Sequence, residues 1–436
     1  MTNSQRRNHR GKILAVSIIV LVFCFFAFAL AGRAEVSRSL SPPSTSSEKH
    51  ETVQNMDAAV DWLSDKAHQM VRASRRKMHD GTTAFPPQVD KGYNAFWLRD
   101  YCYVVEGAAE SLSEKELKDA CRLFVGSIRE DGAGVDCIKF DGTPIYKPGY
   151  GRMGKNPVAD GSPFTVGVAW HTFFRTKDIE LLRSIIDKLE KTMDSVPRNP
   201  KTGLVHIKPG KSWDRCPYGF TDTIPKQGDV LFSSLLFVDA SRHMADLHKA
   251  LGREEDARRW SDEAKRMTKQ IRKVFWNPEW GLFRAATVKC NQPDIWGSAF
   301  AVSREVATRE QALAIARYFR DHYDELVERG QIRHLPRPMY WEGVGYRDRY
   351  QNGGYWATPV GWFVYTLDLV DSKLADKTVI DMTRDFQQWG VHEWIYGDRV
   401  ATPTYLASVT TPLLDICRML IRRQMEANDK PRETTK

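Results

Sequence analysis

Two acidic residues, far apart in the sequence, each lie close to aromatic residues. Trp213 and Tyr218 flank Asp214, and Trp394 directly follows Glu393. Removal of a carboxyl group from water raises its pKa toward the value that a general acid needs. Two such carboxyl groups on either side of one bond are typical of glycoside hydrolysis. We therefore predict that Asp214 and Glu393 form a catalytic pair, provided that the fold brings them together.

Other interpretations of these carboxyl groups stay open from the sequence alone. Arg215 follows Asp214 directly, so that Asp214 also suits a structural ion pair. Asp222 and Glu342 are the alternative candidates for the acid and the base, since both lie in segments rich in aromatic residues and glycine.

A second group of residues suits the recognition of a sugar. Trp97 offers a flat apolar surface, and Arg99 and Asp100 offer fixed donors and acceptors for hydroxyl groups. Asp100 also suits the first turn of a helix, where it would stabilise the helix dipole. Further candidates are the neutral amides of Gln351 and Asn352, next to paired glycines that let the backbone approach closely. The complete set of predicted substrate-binding residues is Trp97, Arg99, Asp100, Trp213, Trp341, Glu342, Gln351, Asn352 and Trp356.

The elements that position these residues are predicted to be helices. Apolar residues recur at intervals of three and four along most of the chain, which is the helical period. The predicted helices are 56–75, 99–112, 114–128, 163–175, 178–192, 229–251, 254–275, 295–302, 309–326, 355–369, 373–389 and 404–422. They predict an all-α domain over residues 52–425, followed by a charged tail at 426–436.

The connections between these helices alternate between short and long. Short connections make antiparallel helix hairpins, and a strict alternation places every long loop on one face of the domain. Five hairpins, with the first and last helices pairing, close into an (α/α)6 toroid. An open solenoid is the alternative, but the sequence has no repeat of fixed period to support it. All the candidate residues above lie in or beside the long loops, which would wall a single pocket.

The N-terminal segment predicts export. Residues 1–12 are basic, and residues 13–32 form an apolar run long enough to cross a bilayer. The length of the run favours a membrane anchor over a cleaved signal peptide, although Ala29-Leu30-Ala31 fits a cleavage site. Residues 33–51 are rich in serine and proline and predict a linker. We expect an extracytoplasmic domain, anchored to the membrane, or secreted or periplasmic if the run is cleaved.

Composition and cysteine usage exclude several classes of function. The formal net charge is +9, but the first 50 residues hold seven basic and two acidic residues, so that nucleic-acid binding gains little support. Six cysteines follow the apolar run, and both disulfides and buried free thiols are open. Because no Cys/His cluster has the spacing of a zinc site, we expect no metal and no cofactor.

Several motifs together resemble the six-hairpin glycosidases. These motifs are Phe96-Trp97-Leu98-Arg99-Asp100, Trp213-Asp214, Tyr350-Gln351-Asn352-Gly353-Gly354-Tyr355-Trp356 and Glu393-Trp394. The superfamily includes glucoamylases, neutral/alkaline invertases, processing α-glucosidase I and mannosylglycerate hydrolase-like enzymes. The resemblance implies an inverting mechanism, with Asp214 as general acid, Glu393 as general base, and Trp97, Arg99 and Asp100 holding the terminal sugar. The chain has Gln351 where histidine is common, and it lacks an accessory β-domain.

The sequence thus predicts an inverting glycoside hydrolase that cleaves a terminal, α-linked sugar from a glycoside or oligosaccharide. One rival is a polysaccharide lyase or sugar epimerase of the same fold, to which His171, His334 and His392 could contribute. Another rival is a protein that binds glycans without catalysis.

Overall fold

Twelve helices of at least eight residues dominate the computed structural model, which describes residues 52–90, 92–148, 154–211 and 213–429. They are α1 (Met56–Ser74), α2 (Leu98–Ala108), α3 (Glu114–Gly126), α4 (Gly161–Thr176), α5 (Ile179–Asp194), α6 (Leu231–Ala250), α7 (Glu254–Val274), α8 (Ile295–Ser303), α9 (Arg309–Asp321), α10 (Val360–Leu367), α11 (Ser372–Trp389) and α12 (Ala407–Asn428). A single helical turn, Tyr323–Leu326, follows the ninth of them. The prediction of twelve helices is confirmed, with boundaries that differ by a few residues at most ends.

The helices are arranged as an inner and an outer ring. The even-numbered helices from α2 to α10 contact one another in sequence order, and the odd-numbered helices pack outside them. The outer ring closes where α11 contacts α1. The inner ring closes through the first part of α12, because the Cα atoms of Gly107 and Gly361 lie directly against the backbone of Thr410 and Pro412. This is the predicted (α/α)6 toroid.

Residues Val53–Asp415 form one compact unit, which contains α1 to α11 and the first nine residues of α12. The described residues from Ile416 onward continue α12 as a helix to Asn428, six residues beyond its predicted end.

The sequence pattern of each ring explains its place. Every residue of α8 is buried, as expected for a helix that is apolar on all sides. Outer helices bury one stripe only; α7, for example, is largely charged on its remaining faces. Side-chain caps start every outer helix except α7, and Ser113 and Thr308 form complete capping boxes with Glu116 and Gln311.

The long loops contain short strands that the helical pattern did not predict. Three strands precede or follow α2: β3 (Ala95–Trp97), β4 (Cys137–Lys139) and β5 (Pro144–Ile145). Five more form an antiparallel sheet in the order β10 (Val327–Glu328), β11 (Gln331–Arg333), β12 (Tyr355–Trp356), β13 (His392–Tyr396) and β14 (Arg399–Pro403). The remaining pairs are β1 (Arg76–Lys77) with β2 (Thr83–Ala84), β6 (His206–Ile207) with β7 (Gly228–Asp229), and β8 (Trp276–Asn277) with β9 (Leu282–Phe283).

Strand pairing corrects one predicted helix boundary. The helix predicted to begin at residue 355 begins at Val360, because Tyr355 and Trp356 pair with β11 and β13 as strand β12. The aromatic side chains that resembled the start of a buried helix are instead buried in the sheet.

Aromatic side chains fill the centre of the barrel. The hydroxyls of Tyr103 on α2 and Tyr218 are 2.8 Å apart, and the ring of Tyr218 stacks on Phe232 with centroids 3.9 Å apart. Trp362 on α10 packs against both Tyr103 and Phe232. Because Tyr103 lies in the middle of α2, these rings separate the two ends of the barrel axis.

Cysteines and the N-terminus complete the comparison with the sequence. Cys102, Cys121, Cys137, Cys216 and Cys290 are buried free thiols. The predicted anchor at 13–32 and the linker at 33–51 lie outside the described residues. Among the helices that the structure describes, none combines the length and the apolar character that a bilayer span requires.

Substitution of Gly107 tests the closure of the inner ring. A Cβ atom at Gly107 would lie 1.9 Å from the carbonyl oxygen of Thr410, so that α2 and α12 would have to move apart. We expect Gly107→Ala to lower the free energy of unfolding by about 2–3 kcal/mol in urea titrations. Gly126→Ala on α3 is the control: a Cβ there meets open space, and we expect no loss of stability. Equal stability of the two variants would contradict this packing.

Candidate active site

Three carboxyl groups from three separate loops lie in one region at the N-terminal ends of the inner helices. Asp100 is in the first turn of α2, Asp222 ends a 3-10 turn formed by Gly219–Thr221, and Glu393 is the second residue of β13. Glu393 and Asp100 are buried, whereas Asp222 is partly exposed. The negative charges of Asp100 and Asp222 both act on Glu393, which shows that the three groups share one environment.

Both oxygens of the Glu393 carboxyl accept a hydrogen bond from a hydroxyl group. Tyr93 donates to Oε1 at 3.1 Å, and Thr402 on the neighbouring strand β14 donates to Oε2 at 2.6 Å. Thr402 has a φ of 53°, a left-handed conformation that is strained for a β-branched residue. Burial raises the pKa of Glu393 to about 7, although the two donors act in the opposite direction.

The Asp222 carboxyl is held by an amide. Nε2 of Gln351 donates a hydrogen bond to Oδ1 of Asp222 at 2.8 Å. The carbonyl oxygen of Gln351 in turn accepts from the backbone N–H and the hydroxyl of Thr223, at 2.8 and 2.6 Å. These two bonds fix which end of the Gln351 amide faces Asp222. Burial raises the pKa of Asp222 to about 7.

Asp100 is linked to Glu393 through two tyrosine side chains. The hydroxyl of Tyr405 donates to Oδ1 of Asp100 at 2.7 Å, and the ring of Tyr405 packs against Tyr93 with centroids 6.0 Å apart. Burial raises the pKa of Asp100 to about 6, against the opposing effect of Arg99. Burial and the surrounding carboxylates also raise the pKa of Tyr93 well above 10. Tyr93 and Tyr405 are therefore hydrogen-bond donors at neutral pH.

The chemical consequence is a pocket in which carboxyl groups can be protonated near pH 7. Close carboxyl groups with little access to water cannot all ionise, so they titrate as a coupled group. Such a group can supply an acid and a base at the same pH, which is what two-carboxylate catalysis requires.

Asp214 lies in a different arrangement from these three groups. Its carboxyl accepts a hydrogen bond from Nδ2 of Asn156 at 2.6 Å, and its backbone oxygen accepts from the N–H groups of Lys155 and Asn156. Asp214 and Trp213 are both partly exposed. Asp214 is thus bound to the 154–156 segment, whereas the carboxyl charges that act on Glu393 are those of Asp100 and Asp222.

Arg99 occupies a buried ion-pair network. Its guanidinium group pairs with the carboxyl groups of Asp136 and Asp160, and all three side chains are at least nine-tenths buried. Trp97 precedes α2 and is partly exposed, with its ring edge-on to Tyr93 at 4.9 Å. Trp97 therefore lies against Tyr93, which binds Glu393. Asp100 belongs to the carboxyl cluster, whereas Arg99 binds Asp136 and Asp160.

Only part of the motif around Gln351 contacts the carboxyl cluster, and the rest binds within its own loop. Gln351 contacts Asp222, as described, whereas Asn352 accepts from the N–H of Trp341 at 2.7 Å and donates to the carbonyl of Tyr346 at 2.5 Å. Gly353 has a φ of 117°, so the paired glycines do permit a conformation closed to other residues.

The tryptophans of this region are buried, and Glu342 is not. Trp356 donates to the carbonyl of Tyr350 at 3.1 Å, and the ammonium of Lys226 lies 4.8 Å from the ring of Trp341. Glu342 is exposed and accepts from the N–H of Cys290 at 3.0 Å.

The three histidines considered for a lyase or epimerase are held elsewhere. His171 on α4 lines a cavity between the inner helices α2, α4, α6 and α8. His334 stacks on Trp296, and His392 binds the carbonyl of Trp389 at 2.5 Å. Burial lowers the pKa of all three. No group of metal-ligating side chains occurs within the part of the chain that the structure describes.

Sequence reasoning missed the hydroxyl donors of the cluster. Tyr93, Thr402 and Tyr405 act on carboxyl groups that are up to 305 residues away in the sequence. Tyr93 and Thr402 lie in the same long loops as candidate residues, whereas Tyr405 lies in the helix predicted at 404–422.

Comparison with known proteins supports the fold and the superfamily. A family model described as the bacterial α-L-rhamnosidase six-hairpin glycosidase domain matches residues 128–325. This part of the chain is thus similar to a six-hairpin glycosidase domain. No curated protein matches the chain.

Solved structures of six-hairpin glycosidases share the fold at low sequence identity. A rhamnosidase from Klebsiella oxytoca with rhamnose bound has a TM-score of 0.58 and 15% identity over 86% of the chain, which spans 65% of that protein. A GH63 mannosylglycerate hydrolase from Thermus thermophilus in complex with glucose has a TM-score of 0.60 and 15% identity over 81% of the chain, which covers 99% of that protein. A GH78 rhamnosidase of Bacillus is covered over 35% of its length, with a TM-score of 0.56 and 14% identity.

The pH dependence of stability tests the burial of Glu393. A carboxyl whose pKa rises on folding contributes most stability below its ordinary value of 4.5, and that contribution is lost as the pH rises through about 7. Glu393→Gln removes this loss. We expect the stability of Glu393→Gln relative to the parent to increase by about 3 kcal/mol between pH 4.5 and pH 8 in urea titrations.

Glu342→Gln is the matched control, because Glu342 is exposed. Its stability profile should run parallel to that of the parent protein. A parallel profile for Glu393→Gln as well would show that Glu393 is not buried in a carboxyl cluster.

Proposed function

We propose that the protein is an inverting glycoside hydrolase in which Asp222 is the general acid and Glu393 is the general base. The observation that carries the proposal is that the charge of Asp222 acts on Glu393, and that burial raises the pKa of each carboxyl group to about 7. Among the candidates named from the sequence, Glu393 keeps its predicted role, and Asp222 replaces Asp214.

The hydrogen bonds of Glu393 and Asp222 suit the roles of general base and general acid, respectively. Hydroxyl donors on both oxygens of Glu393 favour its ionised form, and a general base must be ionised. Asp222 accepts at Oδ1 only, from Gln351, among the contacts of the described residues. Its Oδ2 can therefore carry the proton that a general acid delivers. Its partial exposure also gives Asp222 access to a bound substrate.

The reaction follows from these roles. The proton of Asp222 passes to the glycosidic oxygen as the bond from that oxygen to the anomeric carbon breaks. A water molecule attacks the anomeric carbon from the opposite face and loses its proton to Glu393. Asp222 is then ionised and Glu393 protonated, and exchange of one proton with solvent restores both. This geometry needs about 6.5–9.5 Å between the carboxyl groups, and it inverts the anomeric configuration.

The substrate we propose is a glycoside with a terminal, α-linked sugar. The aromatic rings around Tyr103 and Tyr218 fill the barrel axis beneath the cluster, which suits a pocket for one end of a glycan. Trp97 is placed to stack on the sugar, and Asp100 to accept from a hydroxyl group. The names of the similar proteins point to rhamnosides and mannosylglycerate as the first substrates to try.

We also propose that the apolar segment at residues 13–32 places this domain outside the cytosol, through an anchor or after cleavage. The support for this is the sequence pattern alone.

The first test of this function is a substrate panel followed by proton NMR. The panel contains α-L-rhamnosides, mannosylglycerate, and α- and β-linked glucosides and mannosides, with residues 51–436 of the chain as the enzyme. We expect release of a sugar whose first-formed anomer is inverted. Glu393→Gln should lower kcat by at least about a thousandfold, since a base that activates water has no substitute in the pocket.

Leaving-group dependence identifies the acid. An alkyl leaving group needs protonation, whereas a dinitrophenyl group does not, so loss of the general acid slows only the first class strongly. Asp222→Asn should lower kcat/KM for alkyl glycosides by about a thousandfold and for dinitrophenyl glycosides by less than tenfold. Asp214→Asn should change both by only a few fold. The reverse result would return the role of acid to Asp214.

A further inference from the structure

Asp160 departs from the usual behaviour of an aspartate at the start of a helix. It occupies the N-cap position of α4, where an aspartate side chain normally accepts a hydrogen bond from the first turn. The Asp160 side chain makes no such bond. Its Oδ2 accepts instead from the backbone N–H of Gly219 at 2.8 Å and from Nε of Arg99 at 3.2 Å. The side chain is fully buried.

The residue held by Asp160 is the first residue of the turn that ends at Asp222. Gly219 begins the 3-10 turn, and the N–H of Asp222 donates to the carbonyl of Gly219 at 3.3 Å. Asp160 therefore fixes one end of the turn, and the proposed acid emerges from the other end.

Arg99 also lies against the backbone of this turn. A Cβ atom at position 219 would lie 1.9 Å from Nε of Arg99, so the guanidinium lies directly against the Gly219 backbone. Asp136 pairs with the same guanidinium and is also buried. Burial of an arginine with two carboxylates has a large desolvation free energy, so this network suits a role in geometry rather than in stability alone.

The network also acts on Asp222 through charge. Asp136 and Asp160 raise the pKa of Asp222, and Arg99 lowers it. Other titratable groups act on Asp222 or are acted on by it, and removal of one charge from the network leaves them in place. They are Glu393, Tyr93, Cys216, Tyr346 and Tyr350.

We propose that Asp160, clamped by Arg99, is a positioning residue that sets the place of the Asp222 carboxyl. Arg99 thus acts beneath the turn, where the resemblance implied a direct contact with the sugar. The inference rests on the proposed function of Asp222, but the coupling between the two carboxyl groups can be measured without any substrate.

The first experiment measures that coupling in stability. The difference in unfolding free energy between the parent and Asp222→Asn is followed from pH 4 to pH 9, and its midpoint reports the titration of Asp222. In an Asp160→Asn background, the amide oxygen still accepts from Gly219 but the charge is gone. We expect the midpoint to shift down by about one pH unit. An unchanged midpoint would overturn the electrostatic role of Asp160.

The second experiment measures positioning in catalysis. Asp160→Ala removes the acceptor for Gly219, and we expect kcat for an alkyl glycoside to fall by 10- to 100-fold. KM, and the rate with the dinitrophenyl glycoside, should change by less than threefold. Asp160→Asn should recover most of the rate at its lower optimal pH. A purely structural role would instead slow both substrates equally.

Asp294→Asn is the control for a buried helix-capping aspartate, because Asp294 caps α8 at Gly297 and is equally buried. It should show no dependence on the leaving group. If Asp222→Asn shows leaving-group dependence and Asp160→Ala does not, this inference is wrong and the proposed function stands. If Asp222→Asn itself shows none, the proposed acid is wrong and the inference falls with it.

Discussion

The closeness of the Asp100, Asp222 and Glu393 carboxyl groups is the constraint on which the rest of the site depends. Asp100 and Glu393 are buried, Asp222 is partly exposed, and the charges of Asp100 and Asp222 oppose ionisation of Glu393. A cluster of this kind lowers stability at neutral pH unless donors surround it. The surrounding loops supply those donors: Tyr93 and Thr402 to Glu393, and side chains from two further loops to the other carboxyl groups.

The scaffold explains how so many separate loops can meet at one point. The helix hairpins form two closed rings, and the loops that precede the inner helices all emerge at the same end. Short strands then fix the loops. The hairpin of β13 and β14 holds Glu393 opposite Thr402, whose left-handed backbone persists because the strand pairing on both sides determines it.

How much of this could be predicted from the sequence differs between the fold and the site. The helices were predictable because their period is local, and the alternation of loop lengths was sufficient for the toroid. The start of α10 was wrong because Tyr355 and Trp356 pair with strands from elsewhere in the chain. No local pattern distinguishes an aromatic pair in a strand from the same pair in a helix.

The prediction of the catalytic pair also depended on both local patterns and contacts from elsewhere in the chain. Glu393 was selected for its aromatic neighbours, and it lies in the carboxyl cluster, although its role stays a prediction. Asp214 and Asp222 lie eight positions apart in one loop, and both resemble an acid locally. The choice between them depends on the turn at Gly219, which Asp160 and Arg99 hold from other parts of the chain.

The most direct test of the central claim is a crystal structure of the Glu393→Gln variant with an uncleaved substrate bound. The account predicts an Asp222 oxygen within about 2.6–3.2 Å of the glycosidic oxygen. The side chain at position 393 should lie on the opposite face of the sugar, with about 6.5–9.5 Å between the two groups. A substrate whose glycosidic oxygen contacts Asp214, or whose reacting sugar lies away from residue 393, would contradict it.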